Sequence, residues 1–78
     1  MAEATTIQDW TDTNVTLGSH EHRDVKYMVY REDDKHFLDV RGADDLPIHI
    51  LELPDGMKLD RSSYEVLLRY VLLDVVAA

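Results

Sequence analysis

The residues most able to do chemistry here are two histidines. In an extended segment, His20-x-His22 sets both imidazoles on one face with Asp24 following on the same side, a three-ligand spacing suited to zinc or nickel. Such a pair in a polar loop is ordinarily solvated, so His20 and His22 stand as weak metal candidates and no cofactor is expected. His36 and His49 read as strand residues. The carboxylates Glu32-Asp33-Asp34 and Asp44-Asp45 lack the D-x-D-x-D-G series ending in Glu that a calcium loop requires. Asp55, Lys58 and Asp60 are the residue types of metal nucleases, but no carboxylate-x-Lys follows a strand. There is no G-x-S-x-G, no Gly-rich phosphate loop and no cysteine nucleophile. The chain is therefore expected not to be an enzyme.

What the carboxylates can do is set a field. Sixteen acidic residues face eight basic ones, a formal charge of −8 over 78 residues. That balance disfavours direct contact with nucleic acid or an anionic membrane and favours a basic partner. Glu32, Asp33, Asp34, Asp44, Asp45, Asp9 and Asp12 are the candidate partner-binding residues, a negative rim that imitates a row of phosphates; the plain alternative is a set of solvated loops that keep a small protein soluble. Zero cysteines fit a reducing compartment. MAEATTIQDW lacks the basic and apolar regions of a signal peptide, and the longest apolar run is too short to span a bilayer. A cytoplasmic location follows as the expectation.

These residues must be positioned by one small domain, residues 1–78, with residues 1–6 expected to fray. An apolar content of 45 % argues for a folded globule. The densest apolar stretch is SSYEVLLRYVLLDVVAA, residues 62–78, and Ser62-x-x-Glu65 matches a capping box that would start a helix there. Ser62, Glu65 and Arg69 make one narrow polar stripe; the rest of the wheel is apolar except Asp74. The run YVLLDVV also reads as a strand buried on both sides, and the cap and the length select the helix. Val25, Tyr27 and Val29 alternate with Lys26, Met28 and Tyr30 in a strand. HFLDV (36–40) returns from a polar turn, and LPIHILEL (46–53) adds a third strand. Val15 and Leu17 mark a short N-terminal edge strand. Trp10 is expected to fold onto the core rather than be offered to a partner. The fold class is α+β: a small antiparallel three- to four-stranded meander packed against one C-terminal helix.

The helix offers more apolar surface than one small sheet can cover. Its eight Val and Leu residues, fully buried, would contribute on the order of 12–24 kcal/mol, against a typical domain stability of about 5–15 kcal/mol. A second layer is expected. Most simply it is a second copy meeting Leu68, Leu72, Val75 and Val76; the alternative is an N-terminal segment folded back over the helix.

Two functional expectations follow. The first is a non-catalytic acidic binding protein, an inhibitor docking its acidic loops on a basic, nucleic-acid-binding surface of a larger protein. In size and charge the chain is similar to small phage-encoded inhibitors of host or defence machinery, a likeness of composition alone. The second is a small structural or accessory subunit, a homodimer or part of a complex, using its apolar C-terminal helix.

Overall fold

The computed structural model describes residues 4–18 and 20–77, with side chains described through residue 73. Four strands, β1 (Thr5–Leu17), β2 (Glu21–Glu32), β3 (Lys35–Gly42) and β4 (Pro47–Glu52), precede one helix, α1 (Arg61–Ala77). The strands form a single antiparallel sheet in the order β1-β2-β3-β4, each paired with its sequence neighbour. This is the α+β arrangement read from the residue pattern, and the apolar C-terminal run is helix rather than strand through Ala77.

The period-2 pattern of β2 decides the layering. Val25, Tyr27 and Val29 face the helix and are almost fully buried, while Lys26, Met28 and Tyr30 face the other side and are half-buried. Leu38 and Val40 continue the inner face on β3, and Leu53 just after β4, while Val15 and Leu17 close it on β1. Tyr64, Leu68 and Leu72 descend from the helix into that layer, with the Tyr64 and Tyr27 rings 6.0 Å apart between centroids. The helix runs nearest β1. The outer face of the sheet has no layer upon it among the described residues.

Four expectations change. Thr5 and Thr6 belong to β1 rather than to a frayed end, because they pair with Arg31 and Tyr30; residues 1–3 lie outside the described residues. β1 is thirteen residues long, not a short strand around Val15. The helix begins at Arg61 and its cap is Asp60, not Ser62: one Asp60 carboxylate oxygen accepts the Ser63 backbone N–H and the Ser62 hydroxyl, each at 2.9 Å. A carboxylate accepts both at once and also complements the positive end of the helix dipole. Finally, Leu68 and Leu72, expected between two copies, are 0 % exposed inside this chain's own core. The side chains of Val75 and Val76 lie outside the described residues.

Candidate interaction surfaces

The acidic residues come first, since they carry most of the functional expectation. Asp33 and Asp34 form the two-residue turn between β2 and β3, and Asp33 takes a left-handed conformation, φ 57, that a short polar side chain tolerates. Asp44 and Asp45 turn the chain between β3 and β4, at the other end of the sheet. There the Asp44 carboxylate accepts the Leu46 N–H at 3.2 Å, and Asp45 has φ 71. Eight residues of β3 separate the two turns, roughly 26 Å at strand rise, so Glu32-Asp33-Asp34 and Asp44-Asp45 do not make a continuous row.

Several of these carboxylates serve the fold itself. Asp45 pairs with Lys26 at 2.7 Å and with Arg41 at 3.5 Å, and these cations, Lys26 foremost, hold its carboxyl below the ordinary range. Asp9 accepts the N–H of Trp10 at 2.8 Å where the β1 register slips. Asp12 is exposed and lies across from Lys26 in the β1–β2 register. Glu32 and Asp34 are exposed and enter no ion pair among the described residues.

The outer sheet face gathers Trp10, Lys26, Met28, Tyr30, Phe37, Asp39, Arg41 and Ile50. Trp10 is 37 % exposed and does not join the core. The slip between Gln8 and Thr11 sends it to the outer side, where Arg41 stands 4.8 Å and Lys26 5.7 Å from its ring centroid. A cation held over indole is favourable by about 0.5–1 kcal/mol at an exposed site, which offsets part of the lost burial. Tyr30 and Phe37 stack beside them at 5.3 Å. Asp39 is buried at the centre of this face, with Arg41 at 3.8 Å, and the Arg41 Nε is buried with no hydrogen-bond partner. Tyr30's hydroxyl is held above its ordinary value by burial first, then by the Asp39 and Glu32 charges.

The histidines do not converge. His20 is exposed in the β1–β2 turn, whereas the His22 Nδ1 lies 3.1 Å from the Asn14 side-chain oxygen and 3.2 Å from the Thr16 hydroxyl. Asp24 accepts from the Asn14 amide at 2.8 Å. Among the described residues, no three His, Asp or Glu side chains are grouped to hold a metal ion.

The helix supplies the third surface. With Tyr64, Leu68 and Leu72 turned inward, Val66, Tyr70 and Leu73 fall on the opposite side at i, i+4 and i+7, and remain 54 %, 68 % and 44 % exposed. Beside them Met57, Ser63, Val66 and Leu67 line an open groove of about 280 Å³. Leu59, just before the helix, is exposed as well. Among the described residues the N-terminal segment does not cover this stripe, because Thr5–Leu17 is spent as β1 in the sheet. The surplus of apolar surface was visible in the amino-acid pattern, but not its location: a helix with so little polar surface gives the wheel no reference for which side faces in.

Compared with protein-family models, curated proteins and solved structures, the chain matches none.

Proposed function

We propose that this chain is a non-catalytic binding protein that docks the outer stripe of its helix, Val66, Tyr70 and Leu73, into an apolar groove on a larger protein whose surroundings are basic. The observation that carries this reading is the exposure of those three side chains on one helix face. Burying their exposed parts is worth on the order of 3–5 kcal/mol, a millimolar contact by itself. The stripe therefore anchors a larger contact rather than making the whole of it. A charge of −8 steers the chain to a basic surface and away from acidic ones.

The inhibitor reading, acidic turns set on a basic nucleic-acid-binding surface, is the second one, supported by Glu32 and Asp34, which are exposed and in no ion pair among the described residues. It engages one end of the sheet at a time, since the two acidic turns lie at opposite ends. Capture of proteins from the source cell with three baits separates the readings: the wild-type chain, Val66→Ser/Tyr70→Ser, and Glu32→Gln/Asp34→Asn. A partner retained by the wild type and by the turn variant, but lost with the helix variant, supports the helix reading. Loss with the turn variant alone refutes it in favour of the inhibitor reading.

A further inference from the structure

We infer that two copies of the chain join through the second half of β1, paired antiparallel about a two-fold axis, so that two four-stranded sheets become one sheet of eight. An open sheet has two edges, and natural edges are guarded by charge, proline, bulges or shortness. β4 is guarded: it is six residues long, opens on Pro47 and carries a register shift opposite Val40 and Arg41. The first half of β1 is guarded too, by the register shifts between Thr6 and Thr11 and by Asp9 taking the Trp10 N–H.

Beyond Asp12, β1 has no such device. From Thr11 to Leu17 its register against Tyr27 to Glu21 is unbroken, and Thr13-Asn14-Val15-Thr16-Leu17 holds no charge in a chain that is 31 % charged. Thr13, Val15 and Thr16 are β-branched, suited to a further ladder. Val15 and Leu17 already belong to the core, so a partner strand there extends a buried layer.

A second copy is the occupant because the ground above this edge is self-complementary. Asn14, Val15 and Thr16 share a small groove of about 140 Å³ with Glu65 and Arg69 of the helix. Both of those side chains are exposed and stand one helical turn apart. A two-fold axis through Val15 sets Asn14 opposite the partner's Thr16, and it sets each Glu65 facing the other copy's Arg69. An interface of this kind must satisfy the same patch twice. An acid and a base placed symmetrically about residue 67, over a strand centred on residue 15, do so.

Sedimentation equilibrium on the purified full chain tests this without any other partner, so the docking reading above stands or falls separately. A concentration-dependent dimer is expected. Glu65→Arg alone and Arg69→Glu alone each set like charges across the axis and should weaken the dimer about tenfold, while the double exchange should restore it. Amide exchange at Asn14–Leu17 should slow as wild-type concentration rises. A chain that stays monomeric at its highest soluble concentration overturns the inference. So does a dimer indifferent to both single variants, and one disrupted by Tyr70→Ser instead would assign the interface to the helix stripe.

Discussion

Asp60 shows how much one carboxylate oxygen does when it accepts two bonds at a helix start. Its bonds from Ser63 and Ser62 hold its carboxyl below the ordinary range. A depressed value means that the folded state prefers the charged form. Its stabilising contribution is therefore present above the ordinary carboxylate value of about 3.9 and fades as pH falls through the lower, folded value. Asp60→Ala should lower the thermal midpoint at neutral pH, whereas Asp60→Asn, which still accepts the Ser63 N–H, should retain most of it; equal losses would show that the bond does not act as the cap. Tyr64 works in the opposite sense. Burial, and then the Asp60 and Tyr27 neighbours, raise its hydroxyl above the ordinary value of about 10. The neutral form is the folded one, so stability is whole below that value and is lost as pH rises through the raised one. Alkaline titration of unfolding should show the decline beginning above about pH 10, and Tyr64→Phe should lessen it, leaving the part that the likewise raised Tyr30 contributes.

The helix is where inward and outward apolar residues carry different weight. Leu68 is 0 % exposed beneath the helix, and Leu68→Ala should cost about 2–5 kcal/mol in denaturant unfolding, enough to unfold a marginal domain. Val66→Ala, two positions earlier and 54 % exposed, should fall within about 0.5 kcal/mol. Similar losses at the two positions would mean that the stripe is covered after all. Among the strands, β2 was legible because its alternation is unbroken from Val25 to Tyr30. The first half of β1 was not, since Thr5 to Thr13 offers few apolar residues; its strand state comes from pairing with β2, a tertiary cause. The cap was misplaced because Asp60 and Ser62 are both good N-caps and only geometry chooses between them. Trp10 was misplaced because a register slip moves a side chain to the other face and leaves no mark in composition.

At the scale of the molecule, charge and apolar surface are distributed differently. Counting sixteen carboxylates gives the sign of the field, but not that Asp9, Asp44 and Asp45 are occupied by the protein's own N–H groups and cations. A complex anchored by the helix stripe should therefore keep much of its affinity as salt rises from low to physiological strength, with the association rate falling more than the dissociation rate changes. Stopped-flow mixing with the captured partner checks this; a complex whose lifetime collapses with salt would return the weight to the acidic turns. The element order has one more consequence. The apolar floor of the fold is synthesised before its roof: at about 5–20 residues per second, Tyr64 is joined to the chain roughly 2–7 seconds after Val29. A released chain cut short ahead of Arg61 would leave Val25, Tyr27 and Val29 with no helix to meet and present a bare, adhesive sheet. Tyr64, Leu68 and Leu72 are the side chains that retire that hazard.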